Sequence, residues 1–280
     1  MNKQLVLLFL ICSGFFLTTP VSASQEDDDT VYTFGVVPQF DSRRIHAIWQ
    51  PILEEIQQRT GLKFTLKGSS NIPEFEKEFA RGVFDFAYMN PYHILMANNK
   101  QGYQPLLKDE GRDLYGIVVV RKDSPINKME ELEGKLIAFP SANALGASLM
   151  PRAAFLNIYK ININPKYVKT HSSVYLNVAL GEADAGGGVQ KTLEQQSPEL
   201  RDKLKVLYET KRVSPHPISV HPRVTDKVKQ QVAQAFLNMA LTEKGNKLLA
   251  GIPIKKIGPA TMQDYEPVDA LGLETVFIEH

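Results

Sequence analysis

Two periods of apolar residues alternate along the chain: short unbroken runs that read as strands buried on both faces, and longer stretches with apolar residues three and four apart that read as helices. Val31 to Pro38 (VYTFGVVP) is the first run, and Asp41-Ser42 then offers an N-cap. In the helix that follows, Ile45, Ile48, Trp49, Ile52 and Ile56 build one stripe, which Gly61 ends. Lys63 to Ser69 alternates as a second strand, Pro73 to Arg81 is a short helix, and Phe84 to Met89 a third strand. Asn90-Pro91 breaks it and opens a helix to Lys100. Further strands are expected at Tyr115 to Val120, Lys135 to Phe139, Lys166 to Thr170, Asp184 to Gly187, Lys203 to Glu209 and Ile218 to Val220. Helices are expected from Ala147 to Tyr159, from the cap His171-Ser172-Ser173 to Leu180, after Thr225, and in the tail from Thr261.

Such alternation predicts mostly parallel sheets with helices on both faces. No repeat or low-complexity linker separates two halves, so the division is expected to be discontinuous. Residues 24–117 and 213–280 would form one lobe, residues 118–212 an inserted second lobe, and the two crossings between them a hinge.

The first residues belong to trafficking. Lys3 precedes an apolar run to Leu17, and Val21-Ser22-Ala23 supplies the small residues a signal peptidase reads, so residues 1–23 are a signal peptide with cleavage after Ala23. The run is shorter than the ~20 residues a spanning helix needs. Leu10-Ile11 before Cys12 fits a lipid-attachment site poorly. Without the leader no cysteine remains, which excludes disulfides, thiolate metal sites and a cysteine nucleophile.

The chain has 280 residues, of which 32 are Lys or Arg and 31 Asp or Glu, so no charge excess steers it toward nucleic acid. Enzyme and cofactor motifs are missing: Met150 occupies the last position of a GxSxG around Ser148, there is no GxxxxGK, and Gly186-Gly187-Gly188 is not GxGxxG. His216 and His221 lack an acidic partner between them, so no metal site and no cofactor is expected.

Ligands of open parallel sheets collect where strands end and helices begin, at free backbone N–H groups and the positive end of the dipole. Four loops have that placement: Pro38 to Ser42, the Asn90, Tyr92 and His93 loop, Pro140 to Ser148 with Ser141 and Asn143, and the His171, Ser172 and Ser173 loop. Together they would surround a small anion without Lys or Arg. The plainer reading makes their Ser and Asn residues helix caps, worth about 1 kcal/mol each.

FGVVPQ at 34–39, FDFAYMNPYH at 84–93, GIVVVRKDSPI at 116–126, GKLIAFPSANALGASLMPR at 134–152 and HSSVYLNVALGEADAGGGV at 171–189 resemble the phosphate, phosphite and phosphonate binding proteins of ABC importers. The resemblance implies a type II periplasmic binding fold, two α/β lobes with a ligand cleft between them. It also implies an anion site at the helix tip that here reads Asn143-Ala144-Leu145-Gly146. The phosphonate-binding branch has Ser and Thr hydroxyls where this chain has Ala144, Leu145 and Gly146, with Ser141 or Ser148 left to compensate. Its histidine in the next loop is matched by His171. Its acidic residue at the returning crossover is matched by His216, which argues against a ligand bearing an ammonium group. The expectation is a monomeric, non-catalytic periplasmic receptor that closes on a small anionic solute and delivers it to a membrane permease. A sensor-kinase partner using the same fold is the alternative.

Overall fold

The computed structural model describes residues 30–252 and 254–279; the expected signal peptide, its cleavage point and Cys12 lie outside the described residues. The strands are β1 Val31–Val36, β2 Lys63–Gly68, β3 Phe86–Tyr88, β4 Gln104–Asp109, β5 Gly116–Arg121, β6 Leu136–Phe139, β7 Asn164–Tyr167, β8 Ala185–Val189, β9 Leu204–Glu209, β10 Ile218–Val220 and β11 Ile257–Pro259. One sheet runs β11-β4-β10-β3-β1-β2 and the other β7-β6-β8-β5-β9, so the chain forms two α/β lobes.

The helices in chain order are α1 Ser42–Thr60, α2 Ile72–Ala80 and α3 Pro91–Gln101, then a helical run over 145–159 called α4 here, and α5 His171–Leu180. After these come α6 Gln190–Glu194, α7 Pro198–Arg201, α8 Asp226–Met239, α9 Glu243–Gly251 and α10 Glu266–Asp269.

The first lobe is built around β1, whose Phe34, Gly35 and Val36 are buried on both faces. Phe34 is fully buried, with its ring 5.1 Å from Trp49 of α1 and 6.4 Å from Phe86 of β3. The expected stripe of α1 lies on this core, except that Ile48 is half-buried and Leu53 joins the buried face. Asp41 caps the helix, and Gly61 ends it at φ 75°, a left-handed conformation that costs glycine little.

The sheets are mixed rather than mostly parallel. β1 pairs parallel with β2 and β3, and β6 parallel with β7 and β8. The strands that carry the chain across run the other way: β5 lies antiparallel to β8 and β9, and β10 antiparallel to β3 and β4. The reason is topological. A strand that enters a lobe from its neighbour arrives from the opposite end to a strand fed by a local βαβ crossover. Leu114 and Val213 form a bridge that ties the two crossing segments together, and Gly116 and Ile117 already belong to the second sheet.

Part of the seam between the lobes is apolar. Ala144, Leu145, Ala147, Leu149 and Met150 of the second lobe lie in the same buried cluster as the core of the first. Burying Leu145 and Leu149 there contributes on the order of 2 kcal/mol each.

Two glycines position α4. A Cβ at Gly187 would stand 1.9 Å from the Ala147 carbonyl oxygen, and one at Gly116 1.9 Å from that of Gly146. The carbonyl side of the first turn of α4 therefore rests directly on β8 and β5. The tail expected to be helical is so in short pieces: α10 between two 3-10 turns at Met262–Asp264 and Leu273–Thr275.

Candidate functional site

The four strand-to-helix tips singled out in the sequence differ in how their first amides are satisfied. At α1, Asp41 Oδ1 accepts from Arg44 N at 3.0 Å. At α3, Asn90 Oδ1 accepts from Tyr92 N at 2.9 Å and His93 N at 2.7 Å. At α5 the cap is Thr170 rather than His171, Ser172 or Ser173: its Oγ1 accepts from Ser173 N at 3.1 Å, and the helix begins at His171. The tip of α4 has no side-chain cap at all. Its N-cap is Ala144, and the first amides bonded back are those of Ser148 and Leu149, 2.7 and 3.1 Å from the Ala144 carbonyl. The opening segment Leu145–Leu149 has π geometry, and the amides of residues 145–147 precede the first intrahelical bond.

Leu145, Gly146 and Ala147 of that uncapped tip line a cavity of about 20 Å³ together with Gln39, Asn90, His171 and His216. Its lining contains no Lys, Arg, Asp or Glu. The volume holds one water-sized sphere. Three residues expected at the site, Asn90, His171 and His216, thus meet here with the α4 tip.

Both histidines are held below the ordinary imidazole range. Burial lowers His171 to about 4. Burial lowers His216 to about 3, with the nearby His93 and His171 opposing a charge on it as well. At neutral pH both rings are uncharged. His216 Nε2 faces Gln39 Nε2 at 3.1 Å, so the Gln39 amide donates and the ring accepts, which leaves its proton on Nδ1. His171 Nδ1 lies 3.1 Å from Thr192 Oγ1, and Tyr175 OH lies 2.7 Å from the same oxygen. Thr192 Oγ1 donates to the Val189 carbonyl at 2.8 Å, so His171 Nδ1 carries the hydrogen and donates to Thr192, and its Nε2 is left as an acceptor.

The remaining expected residues lie elsewhere along the seam. Asn143 is fully buried; its Nδ2 donates to Glu76 Oε2 at 3.0 Å and to the Ile278 carbonyl at 2.7 Å, and its Oδ1 accepts from Ile278 N at 3.1 Å. His93, also fully buried, presents Nε2 to Glu76 Oε1 at 3.0 Å. Glu76 thereby joins an α3 residue of the first lobe to a β6–α4 loop residue of the second. Tyr92 packs on Phe277 with ring centres 5.5 Å apart. Ser148 Oγ is buried without a hydrogen-bond partner, Ser173 Oγ lies 2.9 Å from Thr170 Oγ1, and Ser141 and Ser172 are half-buried away from the cavity lining.

A second cavity of about 560 Å³ shares Gln39, Val189 and His216 with the small one, and so opens directly beside it. Sequence reasoning reached the Gln39 loop but not its side chain, and it missed Glu76 and Thr192. Gln39 stands at the end of the FGVVPQ run, whereas Glu76 and Thr192 sit among ordinary helix residues and carry no local signal.

Among the described residues no group of His, Cys, Asp or Glu is arranged to hold a metal ion, and no helix is long and apolar enough to cross a membrane. A family model described as the periplasmic substrate-binding protein of phosphonate ABC transporters matches residues 34–265. The "Phosphate-import protein PhnD" of Mycolicibacterium smegmatis is 24% identical over 265 residues, covering 85% of this chain and 82% of that protein. The "Phosphonates-binding periplasmic protein" of Escherichia coli is 21% identical over 266 residues, covering 89% and 78%. PhnD1 of Prochlorococcus marinus, solved in complex with methylphosphonate, shares the fold with a TM-score of 0.79 at 13% identity, covering 88% of this chain and 98% of that one.

Proposed function

The chain belongs to the periplasmic substrate-binding proteins of phosphonate ABC transporters, and from that premise we propose that it captures a small phosphoryl oxyanion between its lobes and presents it to the permease of an importer. The observation that carries this reading is the uncapped tip of α4, whose first residues line one cavity with His171 and His216 and no carboxylate.

An anion at that tip accepts hydrogen bonds from the amides of residues 145–147 and meets the positive end of the helix dipole. The missing hydroxyls at Ala144, Leu145 and Gly146 are replaced by backbone donors. A tetrahedral oxyanion needs more room than one water, so it enters when the lobes part. The crossing segments around the Leu114–Val213 bridge act as the hinge, with the lobe of the six-stranded sheet moving against that of the five-stranded sheet, which takes in Gly116 and Ile117. Asn143, Glu76 and His93 bridge the seam and favour the closed form. The solute shifts the population toward that form, which the permease reads. Capture is non-catalytic, the protein acts as a monomer, and it reaches the periplasm by a cleavable leader.

Isothermal titration of the purified protein against phosphate, phosphite, methylphosphonate and sulfate tests the reading. Binding of one or more phosphoryl oxyanions is expected, and silence across the panel rejects it.

A further inference from the structure

The large cavity is out of scale with a bare oxyanion. At about 560 Å³ it is the size of a pocket for an organic ligand, and it adjoins the 20 Å³ anion cavity across the Gln39–His216 hydrogen bond. Its lining states what it would accept. Arg112, Lys191, Arg212 and Lys255 all border it, together with His216. The buried carboxylate of Asp109 is already committed: it accepts from the amides of Gly111, Lys255 and Lys256 at 2.8 to 2.9 Å and pairs with Arg112 Nε at 3.1 Å. Glu194 pairs with Lys191 at 3.6 Å. Arg212 pairs with Glu209 at 3.3 Å, and Asp113, the third carboxylate of the lining, is exposed, so an ammonium group would meet no uncommitted buried carboxylate.

An alkyl group would be no better suited. Gln195 Oε1 is buried without a partner, and the Tyr88 hydroxyl is held neutral, its ionisation pushed up by burial. Filling the space with methylenes would strand both. Hydroxyl groups donate to amide oxygens such as Gln195 Oε1 and both donate to and accept from a phenol such as Tyr88.

We propose that this cavity is a substituent chamber and that the preferred solute is a phosphate or phosphonate bearing an uncharged, hydroxylated substituent of glycerol or sugar size. The proposal rests on the oxyanion reading above. The head would occupy the α4 tip and the substituent would pass Gln39 and His216.

Calorimetric titration of the purified protein with methylphosphonate, 2-aminoethylphosphonate, sn-glycerol 3-phosphate and glucose 1-phosphate separates the two ideas. At least one hydroxylated ester is expected to bind about tenfold or more tighter than methylphosphonate, and 2-aminoethylphosphonate weaker. Gln195→Leu and Tyr88→Phe, each checked for an unaltered thermal midpoint, are expected to bring the ester and methylphosphonate to within about twofold of each other. If methylphosphonate binds and neither ester binds more tightly, or 2-aminoethylphosphonate is tightest, the chamber proposal falls while the oxyanion reading stands. If nothing in the panel binds, both fall.

Discussion

The N-termini of α5 and α4 both follow a strand of the second sheet, at THSSV and NALGA, yet they end in opposite states. Thr170 folds back on the amide of Ser173, so α5 needs nothing from outside. At α4 the residue in the cap position is Ala144, and the Asn143 amide that precedes it is spent on Glu76 and Ile278. A side chain able to cap is therefore present next to α4 but turned away, and the tip is left open inside a buried cavity. The same contrast separates His93, whose Nε2 is occupied by Glu76, from His171, whose Nε2 has none of the described residues as a partner. Polar residues at a cleft are informative when their partners within the chain run out.

The sharpest way to break the contrast is to give α4 its own acceptor. Ala144→Asp places a carboxylate at the tip, where it caps the amides and repels an anion. Affinity for methylphosphonate is expected to fall by at least about 100-fold, near 3 kcal/mol, in calorimetry. Unchanged affinity would show that the tip does not hold the solute.

Removing Glu76 tests the latch side. Glu76→Ala leaves His93 Nε2 and Asn143 Nδ2 without their acceptor in a buried seam, and unfolding free energy in urea should drop by about 2 to 3 kcal/mol. Asn143→Ala should also lower stability, by about 1 to 2 kcal/mol. A loss confined to solute affinity in either variant would return Asn143 to the ligand shell.

Acid should act on the cavity histidines. Their folded values, about 4 for His171 and about 3 for His216, lie below the ordinary 6.5, so the unfolded chain binds protons that the folded chain refuses. Their contribution to stability is therefore complete above pH 6.5 and declines as pH falls from 6.5 toward 4 and then 3. His171→Gln should flatten the fall in unfolding free energy between pH 6.5 and 4 by on the order of 2 kcal/mol. An unchanged slope would mean that His171 accepts a proton freely in the folded protein. At the small end of the scale, Ser172→Ala should change methylphosphonate affinity by less than about 0.5 kcal/mol, because Ser172 lies off the cavity lining. A larger loss would place its hydroxyl on the solute.

The strand-helix alternation was legible because β1, β3, β5 and β6 are apolar runs and α1 carries its stripe at regular spacing. β4 was not: Pro105 and Lys108 interrupt its pattern, and it is ordered by antiparallel pairing with β10 and β11, far away in the chain. The four tips could be placed from sequence, but their caps could not. Thr170 lies one residue before the triplet expected to cap, and Asn143 answers to Glu76, 67 positions earlier, and to Ile278, 135 later. The π geometry of Leu145–Leu149 has no compositional mark either; it lies where Gly116 and Gly187 let the backbone approach the sheet.

The claim that α4 supplies the anion site is best tested by a crystal structure of the protein with methylphosphonate. The account predicts phosphonate oxygens within about 3 Å of the amides of residues 145–147, with Asn143 still bound to Glu76. A phosphonate held instead by Asn143, Ser172 and Ser173, with the α4 amides turned away from it, would contradict the account.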